Sequence, residues 1–136
     1  MSPQVFVDSA GWIGLLHKGD DLHDRAVAEY SRLVDYGYLF VTTSLILVEV
    51  ASAFAAPNHR HLAVELERRY HETAIGELVW IDRETNKRAW DLYRNRPDKG
   101  WSLVDCASFV VMEDLAISEV LTADHHFEQA GFHNLL

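Results

Sequence analysis

The sequence predicts an α/β domain built on a mostly parallel sheet. Short apolar runs alternate with longer segments of helical periodicity along the whole chain. The runs are continuously apolar rather than alternating, as suits strands covered on both faces. Glycine, proline or a capping residue punctuates most of the boundaries. Such an alternation sets helices between successive strands of one sheet.

The first strand is Val5-Phe6-Val7, ending at Asp8. A short helix from Ala10 to Leu16 follows and is closed by Lys18-Gly19. His23 to Tyr36 carries Ala26, Val27, Tyr30, Leu33 and Val34 at helical spacing, with Gly37 as its stop. Tyr38 to Val41 is the second strand. Ser44 is an expected N-cap for a helix over Leu45 to Ala55, which Pro57-Asn58 terminates. His59 to Thr73 is amphipathic, with Leu62, Leu66 and Tyr70 on one stripe. Leu78 to Ile81 is a third strand, and Arg83 to Asn95 a basic helix leading to the turn Pro97-Asp98-Lys99-Gly100. Leu103 to Leu115 is almost wholly apolar, so a buried helix is expected there. Val120-Leu121, within Ser118 to Thr122, is a fourth strand, and Asn134 to Leu136 a fifth. There is no internal repeat, low-complexity tract or linker, so residues 1–136 are expected to form a single domain.

The chain has 136 residues, 49% of them apolar and 24% charged, an ordinary globular balance with enough length for a core. Its single cysteine, Cys106, excludes an internal disulfide. No apolar run approaches the roughly 20 residues needed to span a bilayer. The N-terminus also lacks the basic and apolar regions of a signal peptide. A cytoplasmic protein without membrane contact is therefore expected. The net charge of −9 speaks against broad, non-specific binding of nucleic acid, whose phosphates call for Lys and Arg. The charge is nevertheless uneven. From Arg83 to Lys99 there are six basic residues against three acidic ones, whereas from Trp101 onward there is no Lys or Arg and six acids. A site that loads divalent cations also reverses its own sign.

Four acids stand where such a fold places its ligands, outside the carboxyl ends of the strands. Asp8 follows the first strand and Asp124 the fourth; Glu49 lies about one turn into the helix after the second, and Asp105 in the first turn of the apolar helix. Taken singly, three have a structural reading of about equal weight. Asp8 and Asp124 are suited to capping the segments that follow them, and Ser102-Leu103-Val104-Asp105 has the form of a capping box. Glu49 differs, because a carboxylate within Leu45-Ile46-Leu47-Val48-Glu49-Val50-Ala51 is costly unless paired or bound to metal. Carboxylates brought close together repel and require a counter-charge, which hard cations such as Mg²⁺ or Mn²⁺ supply. Cysteine and histidine spacing does not suit Zn²⁺. Ions so held bind a phosphodiester and activate water for its hydrolysis.

Val5-Phe6-Val7-Asp8-Ser9, Thr43-Ser44 with Glu49 five residues on, Trp101 to Ser108, and Leu121-Thr122-Ala123-Asp124-His125-His126-Phe127 together resemble the PIN-domain ribonucleases, above all the VapC-type toxins of prokaryotic toxin–antitoxin pairs. The resemblance covers essentially the whole chain in order. It implies a single PIN domain, three layers with strand order 3-2-1-4-5, and endoribonuclease activity dependent on Mg²⁺ or Mn²⁺. By the same resemblance Asp8 and Asp105 are the main metal ligands and Glu49 and Asp124 complete the site. Ser9 is an accessory residue that orients water or ligand, or simply a hydroxyl at a helix start. RNA as substrate, a cognate antitoxin and a homodimer follow as implied partners, with 5′-phosphate and 3′-hydroxyl products.

Two other readings compete. An aspartate-nucleophile phosphatase would use Asp8, but it wants a second Asp two residues on, where this chain has Ala10. A non-catalytic module binding RNA or protein is the other. The basic window is read first as a solvated helix face and second as a guide for RNA phosphates. Trp12, Trp90 and Trp101 are read as core or interface residues ahead of base-stacking platforms. His125 and His126 are read as a polar turn outside the site.

Overall fold

A computed structural model describes residues 1–136. Five strands form one parallel sheet: β1 (Gln4–Val7), β2 (Leu39–Thr43), β3 (Leu78–Val79), β4 (Glu119–Leu121) and β5 (His133–Asn134), in the order β3-β2-β1-β4-β5. Seven helices flank it: α1 (Ser9–Leu16), α2 (His23–Asp35), α3 (Ser44–Ala53), α4 (Arg60–Glu72), α5 (Arg83–Asn95), α6 (Leu103–Asp114) and α7 (His126–Gln129). The expected class and strand order are both present.

The central strand β1 explains the architecture. Val5, Phe6 and Val7 are no more than 1% exposed, so this strand is covered on both faces. Its neighbours align so that Phe6 lies opposite Val41 on one side and Val120 on the other. Residues Cys106 to Met112 of α6 are all buried, as the apolar run required. Phe127, from the short α7, fills the core beside Phe6 and Phe109. Trp12 is buried and donates its indole N–H to the Thr42 hydroxyl at 3.2 Å, which fixes it as a core residue. Trp101 is also buried, donating to Gln129.

Several boundaries differ from expectation for identifiable reasons. Thr43, not Ser44, caps α3: its backbone is extended, and its hydroxyl accepts the Ile46 N–H at 3.2 Å. The Ser44 hydroxyl instead accepts the Ile81 N–H at 3.0 Å, which draws the chain away from β2 and ends β3 at Val79. Helix α3 stops at Ala53 rather than Ala55, because Phe54 turns inward and is buried. On α2 the apolar stripe runs through Ala26, Tyr30 and Leu33, while Val27 and Val34 stand one position off it and are exposed. The final strand is shifted to His133–Asn134 because the Asn134 side chain pairs with both the N–H and the carbonyl of Thr122. No helix is long and apolar enough to cross a membrane.

Gly11 sets how α1 meets the sheet. A Cβ there would fall 2.3 Å from the carbonyl oxygen of Leu121, so only a glycine lets this helix rest on the end of β4.

Candidate active site

Strands β1 and β4 run parallel and side by side, so Asp8 and Asp124 emerge at the same edge of the sheet. Helix α3 begins directly after β2 and carries Glu49 to that edge; the first turn of α6 brings Asp105. A cleft of about 260 Å³ is lined by all four acids together with Ser9, Ser102, Ser108 and His126. No lysine or arginine lines it.

Each acid is anchored by its own element. Asp8 is 6% exposed. Its Oδ1 accepts the Gly11 N–H at 2.8 Å, capping α1, and its Oδ2 accepts the Thr122 hydroxyl at 2.5 Å. Asp124 accepts the His126 N–H at 2.9 Å, while its own N–H donates to Thr122 Oγ1 at 2.8 Å. Asp105 completes a capping box: its N–H donates to Ser102 Oγ at 3.0 Å, and its Oδ2 accepts the Ser102 N–H at 3.1 Å. For Asp8 and Asp105 the capping and cleft-lining readings therefore hold together, whereas Asp124 closes a local turn without capping α7. A side chain fixed by a backbone N–H is held in place for a second partner. Glu49 is half-buried rather than sunk in the core; it lines the cleft with Ser9, and no arginine pairs with it.

The electrostatics of the cleft are those of crowded carboxylates. Burial raises Asp8 from its ordinary 3.8 to about 7; the Thr122 and Gly11 hydrogen bonds oppose the rise, and the charges of Asp124 and Asp105 add to it. Glu49 is raised by burial, against the pull of the Ser9 hydroxyl, with the Asp105 charge adding to the rise. Asp105 is raised by burial, with the Ser102 N–H opposing, Asp124 adding and His126 opposing. Each of these three carboxyls thus feels another acid of the cleft. Oxygen donors that repel one another, with no lysine or arginine among them to relieve the repulsion, fit a hard divalent ion.

The sequence reading left out His126. Its Nδ1 lies 3.1 Å from Asp105 Oδ2 and 3.0 Å from Asp124 Oδ1, so one ring bridges two of the four acids. Asp124, His125 and His126 form a compact set of ligand atoms, all within 4.8 Å of one another. Of these three, Asp124 and His126 line the cleft with Asp8, Glu49 and Asp105, whereas His125 points out of it into solvent. The adjacency of His126 to Asp124 was visible in the sequence, but its approach to Asp105, 21 residues away, was not. Thr122 was missed likewise, because its hydroxyl reads as an ordinary strand residue until its partners are seen.

Fold and cleft together define a class: parallel α/β proteins that gather acids at the carboxyl edge of the sheet. The family model of the PIN domain matches residues 5–133, and the chain belongs to that family. The chain is 24% identical over 130 residues to the 23S rRNA-specific endonuclease VapC20 of Mycobacterium tuberculosis, in two strains, covering 94% of this chain and 95% of the relative. By this membership and likeness the chain is an endoribonuclease, a hydrolase of phosphodiester bonds. The crystal structure of VapC20, described as a sarcin–ricin loop cleaving toxin, superposes with a TM-score of 0.81 at 24% identity, covering 94% of this chain and 95% of that one. FitAcB from Neisseria gonorrhoeae superposes with a TM-score of 0.66 at 14% identity, covering 97% of this chain and 96% of that one. These superpositions establish the fold. PIN-domain nucleases as a group depend on divalent metal, which suits an acidic cleft of this composition.

Proposed function

We propose that residues 1–136 act as one PIN domain that cuts RNA with Mg²⁺ or Mn²⁺, as the toxin of a toxin–antitoxin pair. The observation that carries the site assignment is the convergence of Asp8, Glu49, Asp105 and Asp124 on one cleft that no lysine or arginine lines. Asp8 and Asp105 are the principal ligands. Glu49 and Asp124 hold a second ion or position the attacking water, and Ser9 steadies Glu49. When bound, the ion lowers the pKa of water and stabilises the leaving oxygen.

The chain's own groups prepare that step. The Gly11 N–H and the Thr122 hydroxyl take one oxygen each of Asp8 and hold its carboxylate plane fixed. His126 holds Asp105 and Asp124 together from the other side. The absence of a lysine in the cleft weighs against an aspartyl-phosphate route.

An RNA substrate and an antitoxin partner are supported by the likeness to VapC20. The 23S rRNA named for that relative is the first substrate to test. A homodimer and a cytoplasmic location complete the reading. The experiment incubates purified, antitoxin-free protein with structured RNAs in Mg²⁺ or in EDTA, beside Asp8→Asn. Cutting is expected only from the unaltered protein with Mg²⁺. Cutting in EDTA, or by Asp8→Asn, would count against the mechanism, and no cutting of any RNA would favour a binding module.

A further inference from the structure

The acidic cleft holds carboxylates but has no lysine or arginine to take the phosphates on either side of the bond being cut. Such contacts lie immediately beside it. A groove of about 700 Å³ is lined by Trp90, Tyr93, Arg94, Arg96, Lys99 and Trp101, and it shares Gly100 and Ser102 with the cleft. Groove and cleft are thus one continuous surface.

Its chemistry is distinct from the rest of the molecule. In a chain of net charge −9, this groove is lined by three cations and no acid. Trp90, Tyr93 and Arg94 lie on one face of α5, at the spacing that brings side chains together. Trp90 and Tyr93 meet edge to face with ring centres 5.7 Å apart, and both are more than two-fifths exposed, so their rings are open to solvent along the groove. The Arg96 guanidinium lies 5.1 Å from the centre of the Trp101 ring. Asp91 and Asp98 pair with Arg94 and Arg96 from outside the lining, in solvent-exposed bridges weak enough to be exchanged for phosphate. Lys99 stands outside every ion pair of the molecule.

We infer that this groove holds the single-stranded stretch of RNA next to the cleavage point, with bases stacked on Trp90 and Tyr93 and phosphates on Arg94, Arg96 and Lys99. Cations that track a backbone beside rings that accept any base are how single strands are held without sequence readout. The inference rests on the nuclease reading for its RNA occupant and deepens it by naming the strand's path. It also accounts for how a strongly acidic protein engages a polyanion: the attraction is concentrated in one channel that ends at the metal-binding acids.

The test measures anisotropy of a fluorescein-labelled oligouridylate of about twelve residues, in EDTA, so that binding is read without turnover. Trp90→Ala and Tyr93→Ala should each weaken binding about fivefold or more. Arg94→Ala with Lys99→Ala should lower the slope of log affinity against log salt by about 1.4. Lys18→Ala, an exposed cation outside the groove, should change nothing. Circular dichroism checks that each variant is folded, and sedimentation gives its mass. Unmeasurable binding by the unaltered protein, or unchanged binding by the groove variants, overturns the inference. So does a change of sedimenting mass in Trp90→Ala, which would make this face a contact between copies of the chain. Turnover by the unaltered protein with Mg²⁺ is scored separately. If it is absent while binding still maps to these residues, the nuclease reading fails and the groove stands.

Discussion

The hydroxyl of Thr122 donates to Oδ2 of Asp8 at 2.5 Å, tying the ends of two neighbouring strands across 114 residues of chain. The same oxygen accepts the Asp124 N–H, so a single buried hydroxyl serves two of the four acids. A hydroxyl has one proton to give and lone pairs to receive, which is what this position uses. Thr122→Val keeps the shape and removes both bonds. Stability should fall by about 1–3 kcal/mol. Asp8 loses a bond that lowers its pKa, so the acid limb of the pH–rate profile should move to higher pH. Urea denaturation and the rate profile check the two effects.

Asp8 also predicts a pH dependence of stability in the metal-free protein. Its folded pKa of about 7 lies above the ordinary 3.8, so between those values the folded state holds more protons than the unfolded one. Stability from this group is therefore fully present below the lower value and is lost as pH rises toward the upper. The span corresponds to about 4 kcal/mol at most. Glu49 and Asp105 shift the same way, whereas Asp82, Asp91, Asp98 and Asp114 shift the other way. The clean measurement is the difference between the unaltered protein and Asp8→Asn. The variant should gain relative stability from about pH 4 to about pH 8. A flat difference would show that Asp8 is not perturbed.

Two substitutions separate the roles of Asp105. Asp105→Asn removes the charge but keeps an oxygen for the Ser102 N–H; Asp105→Ala removes both. Cleavage should be lost in each. Only the alanine variant should also lose stability, by about 1 kcal/mol, as the capping box opens. Equal stability of the two variants would deny the box any energetic role.

His126→Ala leaves Asp105 and Asp124 without the ring that joins them. Partners of this kind contribute to metal affinity through orientation, so half-maximal activity should require about tenfold more Mg²⁺. A Mg²⁺ titration of cleavage rate reads this directly. Unchanged metal demand would reduce His126 to part of a turn.

Much of this arrangement was legible in the chain. Continuous apolar runs marked β1 and β2, and the seven successive buried residues of α6 matched its apolar composition. Asp8 and Asp124 could be placed at one edge because each directly follows a strand, and a parallel sheet puts strand ends together. What stayed hidden depended on contacts between distant segments. Ser44 has the chemistry of a cap, but Ile81, 37 residues away, claims its hydroxyl. His126 looked like a polar turn because nothing near it in sequence announces Asp105. Trp12 and Trp90 are the same residue type in helices, yet one is sealed in the core and the other opens onto solvent; local pattern alone does not separate them.

Gly11 has a consequence that reaches beyond local sterics. It contributes no functional group to the cleft, yet its N–H holds Asp8, and its bare α-carbon lets α1 settle against Leu121, next to Thr122. A single methyl added there would lever the helix off the strand and pull apart the pair on which the cleft is built. Gly11→Ala should therefore abolish cleavage while deleting no chemistry, a loss of alignment that added Mg²⁺ would not restore. Seen this way, the smallest side chain in the protein acts as the spacer that keeps its reactive edge in true.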